Sequence, residues 1–362
     1  MPEKMPAIKD DFNPPSTKEA KRLYELADRV KALAPWEWME EVDLFGVQNP
    51  ETGEIGFVSI MGMAGEHFAV SLYLGPEGLE GFWEMEEGGP LADPQQILET
   101  PQLQASFEDR DELEKEDRDT IKKLGLKYRG RKAWPQFRSF RPGFLPWFVT
   151  AEETRFLACA LEQVLEVAPR VNENPDILFD DADETDEVYL VRVPREPEGV
   201  LYWEERMIKI APPKPQPIPL VLEPGLLDQA AKLELADLSI EMDFFSVPTP
   251  VMEKGKRPFL PYMLMLADSR SGMLLGADLA QPEPTVEAMW GKVPQHFIES
   301  CVQNGSIPEQ ITVRHDRLYQ LLSPLAGRLK FKLRQSDELP ALDAALEAMA
   351  QMLMPDLLAD EV

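Results

Sequence analysis

A chain of 362 residues with 44% hydrophobic and 28% charged side chains has the make-up of a globular protein with room for two domains. It carries 37 basic and 65 acidic residues, a net charge of −28, which repels a nucleic-acid backbone as a whole and suits solubility or a basic partner. The two cysteines, Cys159 and Cys301, are far apart and form no Cys-x-x-Cys pair, which argues against structural zinc and for buried thiols in the reducing cytoplasm.

Met1–Pro15 is polar and Pro-rich, without the apolar stretch of a signal peptide, and no apolar run reaches the ~18 residues of a membrane span. A helix follows, opened by the capping box Ser16-x-x-Glu19 and faced by Leu23, Leu26, Ala27, Val30 and Leu33, with Pro35 ending it. Val42–Gln48 and Ile55–Met61 pair across an Asn49–Gly53 turn. His67–Leu74 is a third strand. Glu77–Met85 reads as a short helix despite Gly78 and Gly81, and Gln102–Phe107 as a fourth strand. Asp111–Leu124 is a charged helix, and Thr150-x-x-Glu153 caps another with Phe156, Leu157, Ala160, Val164 and Leu165 on its apolar face. Glu187–Val193 and Val200–Ile210 form a closing hairpin. The acidic run Asp180–Glu187 lacks the spacing of a calcium-binding loop and reads as solvated.

Ala211–Pro219 holds five prolines, which forbid helix and favour a semi-rigid extended linker. Beyond it come a helix or loop near Leu226–Leu235 and a strand around Leu238–Phe245. Phe259–Ala267 and Met273–Ala280 pair across the turn Asp268–Gly272. Thr285–Gly291 and Gln295–Asn304 are helical, and Gly305 suits a helix C-cap. Ile311–Val313, the helix Arg317–Ala326 and the strand Leu329–Leu333 make a βαβ unit with parallel strands. Pro340 opens a last helix faced by Leu342, Leu346, Met349 and Leu353. The fold class is α+β in two domains: an acidic one over 16–210, the linker 211–219, and an α/β one over 220–355 with a mixed sheet. Val251–Pro340 holds 11 basic and 10 acidic side chains, so the acidity lies elsewhere.

Phosphate-loop, nucleophile-elbow and His-Glu-x-x-His signatures are all missing, and the three histidines (His67, His296, His315) sit in no catalytic motif. Three constellations remain. Asp268, Asp316 and Glu338 would form a carboxylate site if the strands ending at Asp268 and His315 were parallel neighbours. Asp268 and Asp316 would then hold Mg or Mn for phosphoryl chemistry. The competing reading makes the three a turn residue, a helix cap and a first-turn acid. Lys122–Arg141 is free of acids and interleaves Lys127, Arg129, Arg131, Lys132 and Arg138 with Trp134 and other rings, as nucleic-acid or partner surfaces do. The acids of Glu108–Asp119 compete for those cations. Trp36, Trp38, Phe45, Phe57, Phe68, Tyr73, Phe82 and Trp83 would form core or line a pocket.

In outline, Phe259–Leu353 resembles the ribonuclease H-like fold of transposases and integrases, except that its third strand is missing or precedes the hairpin. The strings Trp36–Met39, Asp43–Gly53, Gly65–Phe68, Phe137–Phe148 and Leu339–Asp343 resemble an uncharacterised bacterial two-domain family of unknown function. That resemblance implies an intracellular protein with a boundary near the proline cluster, and no site residue. The leading expectation is a non-catalytic cytoplasmic binding or accessory protein needing no cofactor. The alternatives are a divalent-metal-dependent nuclease and a binder of nucleic acid or of a basic protein.

Overall fold

The computed structural model describes residues 12–89, 96–179, 187–196, 200–213, 218, 220–247, 249–253 and 255–353. The acidic run up to Asp186 and most of the 211–219 cluster lie outside these residues. The chain forms two units, residues 1–215 with 255–257, and residues 216–254 with 258–362. No helix among the described residues is long and apolar enough to cross a membrane.

In chain order the first unit holds α1 (Thr17–Leu33), β1 (Phe45–Gln48), β2 (Ile55–Met61), β3 (Phe68–Leu74), α2 (Gly75–Gly88), α3 (Gln96–Glu99), β4 (Gln102–Glu108), α4 (Lys115–Lys123), β5 (Trp134–Phe140), α5 (Ala151–Glu173), β6 (Val188–Arg195) and β7 (Tyr202–Lys209). One seven-stranded sheet runs β5-β4-β3-β2-β1-β6-β7. Its neighbours are antiparallel except β1 and β6, where Gly46 lies opposite Val191 in parallel register. Strand alternation splits the apolar side chains between two faces. Val58, Ile60, Val70 and Leu72 point to the face covered by α1 and α5, whose capping boxes at Ser16 and Thr150 are both formed. Phe57, Tyr73 and Tyr189 point to the other face, against Leu79 and Phe82 of α2.

Gly78 and Gly81 interrupt the helical pattern but are what let α2 lie against the sheet. A Cβ on Gly78 would stand 2.8 Å from the Pro101 carbonyl oxygen and the Tyr73 backbone, and one on Gly81 would stand 2.6 Å from Thr100 Oγ1. β5 falls in the stretch read as a basic and aromatic segment. Pro135 lowers its strand signal, yet an edge strand tolerates a missing N–H. The expected charged helix is shorter at its start. A 3₁₀ turn occupies Arg110–Glu112, and Glu114 forms the capping box that begins α4.

The second unit holds α6 (Leu226–Ala230), β8 (Glu234–Ser246), β9 (Tyr262–Asp268), β10 (Leu274–Ala280), α7 (Val286–Trp290), α8 (Val293–Asn304), β11 (Ser306–Val313), α9 (Asp316–Leu329), β12 (Lys332–Gln335) and α10 (Pro340–Leu353). The sheet order is β10-β9-β8-β11-β12. β8, β9 and β10 form an antiparallel meander, β11 runs parallel to β8, and β12 runs parallel to β11. The strand before the hairpin is thus β8, at the centre of the sheet. Ile240, Met242 and Phe244 face the core under α7, α8 and α9, while Met265 and Ala267 face Leu339 and Leu342 at the start of α10. Gly305 ends α8 with φ +72°. β11 begins five residues earlier than its apolar run suggests. The missing N–H of Pro308 is accommodated beside a register shift at Pro308–Gln310, below the stretch that pairs with β12.

Both cysteines are free. Cys301 is buried, Cys159 is half-buried, and burial pushes their thiols up to about 12 and about 11.

Two helical glycines give opposite expectations. Gly78→Ala should destabilise the chain by ~1–3 kcal/mol, because its methyl meets backbone. Gly327→Ala in α9 meets nothing within 4 Å and should stabilise by ~0.5–1 kcal/mol through helix propensity. Urea unfolding of both variants measures the contrast, and equal signs would refute the close-approach argument.

Candidate functional site at the carboxyl end of the central strand

The predicted carboxylate trio does not assemble. β9 runs opposite to β8 and β11 runs with it, so the strands leading to Asp268 and Asp316 end in opposite directions and are separated by β8, with Asp268 opposite Ile240 and Val313 opposite Met242. Parallel neighbours, the condition for that site, are not found. Asp268 accepts from Ser271 Oγ at 2.6 Å and from the Arg270 N–H at 3.0 Å, and these bonds, the hydroxyl's first, hold its carboxyl below the ordinary range. It is a turn residue. Asp316 opens α9 and accepts from Gln335 Nε2 at 2.6 Å. Glu338 is exposed ahead of α10, and its backbone bonds the Ser336 hydroxyl. Among the described residues no group of three or more His, Cys, Asp or Glu could hold a metal ion.

Different charges meet on the other side of the same sheet end. Glu241 and Asp243 alternate with Ile240, Met242 and Phe244 along β8, so both acids point toward α10. Glu241 is buried, and its Oε2 accepts from the backbone N–H groups of Ala341 at 2.8 Å and Leu342 at 3.0 Å. It caps α10, where unpaired N–H groups favour an anion. Asp243 has a side chain only 2% exposed. Its Oδ1 accepts from the Phe244 N–H at 2.9 Å, and the Arg314 guanidinium Nε and the His315 imidazole Nε2 each approach its carboxylate at 3.7 Å. Burial raises the Asp243 carboxyl above its ordinary value, against the pull of His315 and Arg314. Arg314 follows the last residue of β11 and also donates to Asp343 Oδ1 of α10 at 2.5 Å. One guanidinium thus joins a strand carboxylate to a helix carboxylate.

Aromatic packing closes the flank. The Trp290 ring meets Phe244 edge-on at 4.7 Å and lies 6.5 Å from the His315 ring, with the Arg317 guanidinium 5.2 Å above it. Sequence reasoning passed over Asp243, Arg314 and Asp343. The available signal was the pair Glu241 and Asp243 on one face of an otherwise apolar strand.

In the first unit part of the basic segment is held by internal pairs. Arg138 is buried and bonds both oxygens of buried Asp117, at 3.0 and 2.7 Å, with Phe148 stacked 4.7 Å from its guanidinium carbon. It is therefore a core residue, a correction to its expected place on a binding surface. Lys132 Nζ lies 3.6 Å from both Glu108 and Glu112, and Arg131 lies 3.6 Å from Asp109. Trp134 is half-buried against Tyr128. Lys127 and Arg129 are exposed. The aromatic constellation divides between the two cores. Trp36, Trp38, Phe45 and Phe68 lie in one, and Phe57, Tyr73, Phe82 and Trp83 in the other.

The geometry defines an α+β protein of two units, each built on one mixed sheet. Residues 21–192 match the family model of a domain of unknown function (DUF7309), and residues 226–350 match that of a second domain of unknown function (DUF6930). The first match falls within the first unit and the second, apart from residues 255–257, within the second unit. No curated protein matches it.

The buried carboxylate sets a pH dependence. A raised Asp243 value means that ionising it costs folding free energy, a cost absent below the ordinary Asp value of ~3.9 and growing as pH rises through the folded value. Asp243→Asn escapes that cost. Its stability relative to wild type should rise as pH climbs above the ordinary Asp value of ~3.9, as read by urea unfolding. A pH-independent difference would show that Asp243 ionises as freely in the folded chain as in the unfolded one.

Proposed function

We propose that the second unit is a ribonuclease H-like scaffold used as a binding module, and that the chain is a non-catalytic binding or accessory protein of the bacterial cytoplasm. The meander β8-β9-β10, two helices, and parallel strands β11 and β12 joined by α9 support the scaffold reading. Free, buried or half-buried thiols support a reducing compartment.

The observation that carries the non-catalytic reading is Arg314. A metal-assisted nuclease gathers free carboxylates around a cation that activates water and steadies the phosphoryl group. Here the carboxylates of Asp243 and Asp343 are joined by a guanidinium that stays protonated at every physiological pH. Neutralised acids offer a divalent ion little, and the arginine stands where the ion's charge would be needed. The nuclease alternative with Mg or Mn on Asp268 and Asp316 has less support, because their strand ends face opposite ways. Nucleic-acid binding by the basic segment has less support too, since Arg131, Lys132 and Arg138 are engaged by acids.

Calorimetric titration with magnesium and manganese, on wild type, Arg314→Ala, Asp243→Asn and Asp268→Ala with Asp316→Ala, tests this reading. Wild type should give no saturable heat and should leave single- and double-stranded RNA and DNA intact. Saturable manganese uptake by wild type, lost in Asp243→Asn or in Asp268→Ala with Asp316→Ala and accompanied by cleavage, would put the nuclease reading in its place.

A further inference from the structure

We propose that the outer edge of β10 is a peptide-binding site, where an extended segment of another protein adds as a sixth strand and seats one bulky apolar side chain in the adjoining cavity. The proposal does not depend on how the Arg314 site is read.

Sheet edges invite pairing unless something blunts them. Three of the four edges are blunted. β7 carries Glu204, Glu205, Arg206 and Lys209. β12 is four residues long with exposed Lys332 and Arg334. β5 contains Pro135 and is bridged at Ser139 by Trp147, each donating its N–H to the other's carbonyl. β10 differs. It ends the sheet, its register shifts once, between Leu274 and Gly276, and the regular stretch from Gly276 to Ala280 carries a single charge, Asp278. Met273 is 61% and Leu279 66% exposed.

The edge also has a cavity beside it. Between β10 and the start of α8 lies a hollow of about 210 Å³ lined by the apolar Phe244, Leu264, Met289 and Val293 and by both signs of charge, Asp278 and Glu283 with Lys292, beside His296. An edge strand beside such a hollow is the arrangement that strand-addition domains use. Main-chain bonds hold the added segment, and alternate side chains enter the pocket.

The occupant's chemistry follows from register. Gly276, Asp278 and Ala280 lie opposite Leu266, Leu264 and Tyr262, so they share the face on which the hollow opens. A second copy extending the sheet about a two-fold axis would present the same Gly, Asp and Ala to the hollow and leave its apolar floor unfilled. A large aliphatic or aromatic side chain fits that floor. The ligand is therefore an extended stretch of another protein that carries one bulky apolar side chain at the position facing the hollow.

Selection from a phage-displayed random dodecapeptide library on the full chain tests this. Enriched peptides should share one large apolar residue. Synthetic copies should bind Ala280→Trp, which fills the hollow from the strand itself, and Leu279→Lys at least about tenfold more weakly than wild type. N-methylation of one alternating set of peptide amides should weaken binding about tenfold, and of the other set much less. Unchanged melting temperatures show that the variants fold. If Ala280→Trp does not fold, Leu279→Lys and the N-methyl series decide. No enrichment over a blank surface, or binding indifferent to variants and methylation, overturns the proposal. A chain dimer that Leu279→Lys makes monomeric overturns it in favour of a second copy.

Discussion

The second unit is organised by the need to satisfy two carboxylates on the buried face of its central strand. Glu241 and Asp243 lie among apolar neighbours, where an unmatched charge costs several kcal/mol. The fold answers each differently. Glu241 is met by the backbone N–H groups that open α10, which fixes where that helix begins. Asp243 is met by Arg314 and His315 from the end of β11, and Arg314 reaches on to Asp343. Strand, neighbouring strand and helix are thus tied at one point by charge and not by apolar area.

That solution has a chemical side. Carboxylates held ready for a cation must stay hydrated or be matched by the cation itself. Those matched by arginine are structurally committed, because the guanidinium keeps its charge at any moderate pH. What the unit retains is a rigid sheet with helices on both faces and one open edge, a sound platform for contacts with other molecules.

Much of the architecture was legible in the sequence. Apolar spacing at 3.6 and 2 residues marked α1, α5, α10 and the early hairpin, and the capping boxes at Ser16 and Thr150 marked their helix starts. β5 was obscured because charge and Pro135 outweighed its alternation. The site was legible least. Asp268 and Asp316 attracted attention as acids at strand ends, but strand direction is set by which neighbours pair. The order that inserts β8 between β9 and β11 comes from packing across the whole sheet. Asp243 went unremarked, because only the fold brings Arg314 and α10 to it. Arg138 looked like surface because nothing local in sequence reveals that Asp117 lies against it, buried.

The pairing of Gly46 with Val191 has a bearing on synthesis. β1 is a short inner strand flanked by β2, which follows at once in the chain, and by β6, which is made only after α5 is complete. On the ribosome the first unit must therefore wait, its half-built sheet open along β1, until the chain past Arg195 has left the exit tunnel. A nascent protein in that state presents a strand edge to whatever is nearby. The acidic character of this half of the chain opposes pairing of two such edges, since like charges repel.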